Sequence, residues 1–255
     1  MSSTAIIIPA RWGSTRFPGK LLHPIAGKPV LEHVWRRCLK SKLIKTVIIA
    51  TDDKRIMTTA KKFGAEVMMS SKRHQSGTDR IAEVARLLEK KRDEKNLGFT
   101  HFINVQGDEP LIDPKLIDRL ARTMMKDTKV EMITAATPMK EGNHDPNVVK
   151  VVLNRFGNAL YFSRSMIPYH RDAHDSGSAL APLLHLGIYG FRADTLQQFV
   201  RFSPSPLERC EKLEQLRALE HGISIRVLTT SHKALGIDTP EDAERMEALW
   251  HALPS

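Results

Sequence analysis

The chain predicts an α/β fold, a mostly parallel sheet with helices on both faces and a smaller antiparallel subdomain. Short apolar, β-branched runs alternate with amphipathic helical stretches over residues 5–110, the pattern of a parallel sheet with crossover helices. Between about 130 and 192 strands follow one another quickly, as antiparallel pairing permits. The 255 residues, 41% of them hydrophobic, provide enough core for one large α/β domain.

"AIIIPA" (5–10) reads as a buried first strand, and "KPVLEHVWRRCLKS" (28–41) as a helix. "TVIIATD" (46–52) is a second strand, followed by a helix over 53–63 that stops at Gly64. "EVMMS" (66–70) is a third, and "GTDRIAEVARLLEKK" (77–91) a helix capped by Ser76 or Thr78. "HFINVQGD" (101–108) is a fourth strand. Then "VEMITAATPM" (130–139), "NVVKVVLN" (147–154), "NALYFSR" (158–164) and "HLGIYGFR" (185–192) read as strands. Helices follow near 193–201 and over 206–221, the second with Leu207, Cys210, Leu213 and Leu216 on its apolar face. A strand at 223–230 and a helix from Thr239 close the pattern. The expectation is one domain over 1–255, with about 140–192 as an antiparallel insertion suited to a dimer interface.

The net charge of +10 admits nucleic acid, membrane surfaces or small polyanions as partners. Much of it lies on dispersed helix faces such as "KSKLIK" (40–45), and no basic run is interleaved with aromatics. No apolar run approaches the ~20 residues of a membrane span. "MSSTAIIIPA" lacks the plan of a signal peptide, so a cytoplasmic protein is expected. Cys38 and Cys210 have no metal-ligand spacing and read as buried free thiols.

The functional signal begins where the first strand ends. "IIIPARWGSTRFPGK" (6–20) brings Arg11, Arg16 and Lys20 together with Gly13, Gly19 and the Ser14 and Thr15 hydroxyls. Such a loop lies at the carboxyl edge of the sheet, where ligands bind in these folds. Guanidinium forks and an ammonium suit phosphate oxygens. It is neither a P-loop nor a dinucleotide fingerprint, and a basic surface turn stays open. Asp108 in "NVQGDEP" (104–110) follows a strand to that same edge. Asp238 in "GIDTPED" (236–242) stands at a helix start. A turn carboxylate and a helix cap are the ordinary readings; beside a polyphosphate they also suit Mg²⁺, which takes few carboxylates plus phosphates and water.

The opening loop resembles the signature PAR-x-x-S-T-R-x-P-G-K of the sugar-activating cytidylyltransferases. "HQSGTDR" (74–80), "NVQGDEP", "HLGIYGFR", "PSPLERCEKLEQLRALEHG" (204–222) and "GIDTPED" continue the likeness in order along the chain, and resemble the branch that activates 3-deoxy-manno-octulosonate (Kdo). The resemblance implies a Rossmann-like, glycosyltransferase-A-like nucleotidyltransferase fold. It implies a cytoplasmic homodimeric enzyme of lipopolysaccharide biosynthesis that joins CTP to Kdo, forming CMP-Kdo and pyrophosphate. It implies Mg²⁺ on Asp108 and Asp238, and catalysis by Lys20, Arg11, Arg16 and Asp108. CTP falls to Arg11, Ser14, Arg16, Lys20, Gln75, Ser76, Gly77, Arg80 and Gln106. The acidic eight-carbon sugar falls to Arg164, His185, Tyr189, Glu214 and Gln215. Glu109 is expected to orient its loop. "PYHRDAHDSG" (168–177) follows the family segment loosely and would face the distal end of the sugar. Two other readings stand beside this one. One is transfer to another ulosonic acid, such as 8-amino-Kdo or sialic acid. The other is a basic nucleic-acid binder, which the acidic Asp108, Glu109 and Asp238 at the ligand edge oppose.

Overall fold

The structure, a computed structural model, describes residues 3–93, 98–139, 145–169, 171 and 181–252. Most of segment 168–177 lies outside them.

Strand β1 (Thr4–Ala10) lies inside the sheet, with a neighbour on each side. Ala5 and Ile7 enter one apolar cluster, and Ile6, Ile8 and Ala10 the other, so both faces are covered. Each buried Ile contributes about 2 kcal/mol. A hairpin of β2 (Pro24–Ile25) and β3 (Lys28–Pro29) precedes α1 (Val30–Leu39). The sequence reading took that hairpin's second strand as the start of the helix. Then come β4 (Thr46–Thr51), α2 (Lys54–Lys62), β5 (Glu66–Met69), α3 (Gly77–Asp93) and β6 (His101–Asn104).

Helix α4 (Pro114–Lys126) was not anticipated. Its signals are nevertheless ordinary. Asp113 caps it by accepting from the Lys115 N–H, Pro114 opens it, and Leu116, Ile117, Leu120, Ala121 and Met124 are buried. β7 (Met132–Pro138), β8 (Lys150–Leu153), β9 (Ala159–Ser163) and β10 (Leu183–Arg192) follow. Next are α5 (Ala193–Phe199), α6 (Pro206–Glu211), α7 (Gln215–Glu220), β11 (Ile225–Thr229) and α8 (Pro240–Ala252).

The main sheet runs β11-β7-β10-β6-β1-β4-β5, and β10 is antiparallel to both β6 and β7 while the other neighbouring pairs are parallel. The expected insertion is corrected here: β10, its last strand, lies inside the main sheet. Only β8 and β9 branch off, as an antiparallel pair attached to the start of β10. The single helix expected over 206–221 is two helices, because Lys212 takes a left-handed conformation (φ 54) between them. As a result Leu207 and Cys210 are exposed, whereas Leu213 and Leu216 are buried. Cys38 is buried as expected; Cys210 is not.

β10 passes through the core without room for a side chain at Gly190. A Cβ there would lie 2.6 Å from Ile133 and 2.7 Å from the Met124 sulfur. Gly190→Val is expected to lower unfolding free energy by about 3 kcal/mol through overpacking. Gly98→Ala, where nothing lies within 4 Å, is the control. Urea denaturation showing equal stability for both variants would contradict this packing.

Candidate functional site

β1 and β6 run parallel, so the loops leaving them emerge at one edge. Gly107 permits the close approach of the second loop: a Cβ there would be 3.1 Å from the Pro9 carbonyl oxygen. The first loop folds back on itself, with the Gly19 N–H donating to the Trp12 carbonyl and Gly19 at φ 75. The Trp12 ring packs against Gly19 on one side. The Arg55 guanidinium lies 3.5 Å from its centroid. Arg55 is itself held by Asp53, the cap of α2. Trp12 and Arg55, neither of them expected to touch the nucleotide, therefore brace the loop together with Gly19.

Between these loops, the start of α3 and the segment before α8 lies a cleft of ≈ 310 Å³. Arg11, Ser14, Arg16, Lys20, Gln75, Ser76, Gly77, Arg80, Gln106, Asp108 and Asp238 all line it. All nine residues expected for CTP and both expected for metal thus share one wall system.

Local structure explains each placement. Ser76 caps α3: its hydroxyl accepts from the Asp79 N–H, and Asp79 accepts from the Ser76 N–H. Thr78 is not the cap and instead donates to Glu214. Arg80 is buried and paired with Asp52 at 2.8 Å and with the Ser70 hydroxyl. Its guanidinium is held in place by these two bonds on the lining of the cleft. The Gln106 amide donates to the Gly187 carbonyl, 3.2 Å away, leaving its own carbonyl oxygen for a ligand. The Ser14 hydroxyl accepts from the Phe17 N–H, 3.2 Å away, and retains its proton as a donor.

The two carboxylates are released from their ordinary structural roles. Thr239 and Asp242 cap α8 reciprocally, with Asp242 accepting from the Asp238 and Thr239 N–H groups and Thr239 accepting from the Asp242 N–H. Asp238 therefore points its carboxylate elsewhere. The Ile237 N–H donates to the Asp108 carbonyl at 2.9 Å, which draws the two segments together. Both carboxylates then converge on Lys20, whose Nζ is 2.5 Å from Asp108 Oδ2 and 2.9 Å from Asp238 Oδ1. Arg16 reaches the other oxygen of Asp238 at 3.0 Å. Burial pushes the Lys20 pKa down, but Asp108 and Asp238 outweigh it and the net shift is upward. Glu109 is pushed up to about 8 by burial and then by the Asp108 charge.

The expected sugar residues do not line this cleft. His185, Tyr189, Glu214 and Gln215 gather elsewhere, the first three partly exposed and Gln215 buried. The His185 ring is 5.3 Å from Tyr189 and 5.0 Å edge-on to Phe162, and its Nε2 pairs with the Thr134 hydroxyl at 3.1 Å. Burial raises the Tyr189 pKa well above its usual range, with the Glu214 charge adding to it. Glu214 is also raised by burial, and its Oε1 is buried without a hydrogen-bond partner. Gln215 is buried beside it. Arg164 stands apart, its guanidinium donating to the carbonyls of Glu211, Pro146 and Lys212. His74 was missed: it lines the cleft with its Nε2 2.6 Å from Glu83, and its place directly before Gln75 was the available signal.

Burial pushes the His185 pKa down to about 3. A depressed histidine contributes stability that is present above its unfolded pKa of about 6.5 and lost as pH falls toward the folded value. Between pH 7.5 and 5 the wild type is expected to lose about 1–2 kcal/mol more than His185→Gln, the residue's part exposure trimming the upper figure. Parallel stability curves for the two proteins would contradict an imidazole held neutral by its surroundings.

The cytidylyltransferase family model matches residues 5–225. A "3-deoxy-manno-octulosonate cytidylyltransferase" of Geobacter sulfurreducens is 46% identical over 96% of this chain and 98% of its own length. The protein of that name in Myxococcus xanthus is 44% identical over 98% of this chain and 97% of its own. A solved structure of "CMP:2-keto-3-deoxy-manno-octonic acid synthetase complexed with CTP" superposes with TM-score 0.90 and 38% identity, covering 98% of this chain and 99% of that one. A 4-diphosphocytidyl-2C-methyl-D-erythritol synthase shares the fold at TM-score 0.65 and 13% identity.

Proposed function

Because the chain belongs to the cytidylyltransferase family, we propose that it transfers CMP from CTP to the anomeric hydroxyl of Kdo, releasing pyrophosphate. The observation that carries this reading is the single cleft lined by Arg11, Ser14, Arg16, Lys20, Gln75, Ser76, Gly77, Arg80, Gln106, Asp108 and Asp238. The anomeric hydroxyl attacks the α-phosphate and the bond to the β-phosphate breaks. Negative charge gathers on the departing pyrophosphate. Arg11, Arg16 and Lys20 lie where fixed cations stabilise that charge more than the ground state. Gln75, Ser76, Gly77, Arg80 and Gln106 form the wall against which cytosine is read, and polar groups left unpaired there reject the wrong base.

The donor chemistry of Asp108 and Asp238 fits Mg²⁺: two carboxylates already converge on one cation, the Lys20 ammonium. These two residues would hold the ion, which when bound neutralises phosphate charge and lowers the pKa of the attacking hydroxyl. Kdo is assigned to the group of His185, Tyr189, Glu214 and Gln215, where Glu214 Oε1, without a hydrogen-bond partner, can accept from a sugar hydroxyl. Arg164, fastened to three carbonyls, supports the turn that carries Glu214. The proposal extends to a cytoplasmic enzyme of lipopolysaccharide biosynthesis acting as a homodimer. Among the described residues no helix is long and apolar enough to cross a membrane. Phe156, Leu160 and Tyr169, exposed on and beside the β8–β9 pair, provide apolar surface for a second copy.

The test is pyrophosphate release with Mg²⁺ and CTP over a panel of Kdo, 8-amino-Kdo and sialic acid. Release with Kdo and CTP, and with neither UTP, ATP nor GTP, is expected. Release with another acid alone would move the assignment to that acid, and release with none would overturn it.

A further inference from the structure

Two observations at the carboxylate pair have a bearing on how the site fills. The first is the position of Lys20. Its ammonium lies between two carboxylates that belong to segments 130 residues apart in sequence (238 − 108). Its side chain is only 13% exposed, so it is part of the built site and not a surface group that happens to reach inward. The second is the donor inventory. Among the described residues no group of three or more His, Cys, Asp or Glu side chains could hold a metal ion. Asp108 and Asp238 are the two carboxylates that meet at Lys20, and a divalent ion held between them would complete its shell with water and phosphate.

We propose that in the free protein the Lys20 ammonium occupies the cation position between Asp108 and Asp238, and that a divalent ion enters only once the triphosphate of the nucleotide draws that ammonium away. The inference rests on the cytidylyltransferase reading above and adds an order of binding to it. Electrostatics supplies the reason. With Lys20 and Arg16 in contact, the two carboxylates are already matched charge for charge. A dication entering beside them would meet two fixed positive charges in a partly buried site. A bound triphosphate reverses that balance, because it brings several negative oxygens to the same loop. Lysine suits the exchange. It is a point charge on a flexible four-carbon stem, able to pass from carboxylate to phosphate without breaking a planar, two-bond fit. The neighbouring Arg16, half-exposed on Asp238, is free to follow. The structure thus carries its own counter-ion, which keeps the pair assembled and keeps free metal out until substrate arrives.

The exchange is testable without turnover. Mn²⁺ binding is followed in the absence of nucleotide by loss of the free-ion electron paramagnetic resonance signal, for the wild type, Lys20→Met and Lys20→Gln. Both variants are expected to bind Mn²⁺ at least tenfold more tightly than the wild type. Asp108→Asn combined with Lys20→Met is expected to return to weak binding. In EDTA, equilibrium dialysis is expected to show CTP bound to the wild type. No gain in either lysine variant, with Asp108→Asn still weakening Mn²⁺ binding, would overturn the occupancy by Lys20 and leave the metal pair standing. A gain that survives in the Asp108→Asn, Lys20→Met protein would place the ion elsewhere and overturn the metal assignment beneath the proposal. Absence of CTP binding in EDTA would overturn the order.

Discussion

Asp108→Asn and Asp238→Asn are each expected to lower kcat at least 10³-fold with the fold intact. A loss of that size is about 4 kcal/mol of transition-state stabilisation. An amide keeps the size of the side chain and loses the charge, so neither a dication nor the Lys20 ammonium is held as before. Stability is expected to change little. Asp238 is about half exposed and Asp108 a quarter exposed, and solvent screening keeps such pairs below about 1 kcal/mol. The measurement is steady-state pyrophosphate release alongside thermal unfolding. Wild-type turnover in either variant would remove that residue from the chemistry and sink the two-carboxylate metal assignment. Unfolding of either variant at ambient temperature would assign the carboxylates to the scaffold instead.

Lys20→Ala is expected to lower kcat 10²–10³-fold, or about 3–4 kcal/mol. Lys20 lines the cleft directly after Gly19 and opens a short helical turn. A developing charge on pyrophosphate would lose its least exposed cationic partner. Because the interaction strengthens as charge develops, kcat is expected to fall more than KM for CTP rises. Unchanged kinetics would return the loop to a basic surface turn. A rise in KM alone would mean that Lys20 binds substrate and transition state equally.

Much of this site was legible because one-dimensional signals and physical necessity coincide. The Ile6–Ile8 run has to be a strand covered on both sides, and the loop after it has to appear at the carboxyl edge. Asp108 and the start of α3 follow by the same topology. Asp238 was less legible. Sequence allowed either Asp238 or Thr239 to cap α8; only the reciprocal bonds of Thr239 and Asp242 release the carboxylate. The break at Lys212 had no local signal, since nothing but glycine or asparagine advertises a left-handed turn. The apolar spacing of Leu207, Cys210 and Leu213 therefore read as one helix. β10 read as part of an insertion because an antiparallel strand inside a parallel sheet leaves no mark on its own sequence. Its pairing with β6 and β7 is set by long-range contacts. Helix α4 does carry a local signal, its Asp113-Pro114 start.

The Lys20–Asp238 pair joins residues 218 apart. Lengthening a closed loop costs entropy only slowly, but so distant a contact becomes rewarding only after the sheet between its ends has formed. Asp238 also follows every strand of that sheet along the chain and so emerges after them during synthesis. The Lys20–Asp238 contact is thus expected to form last. In a refolding experiment the return of catalysis would time the docking of the α8 segment, while circular dichroism would time the sheet.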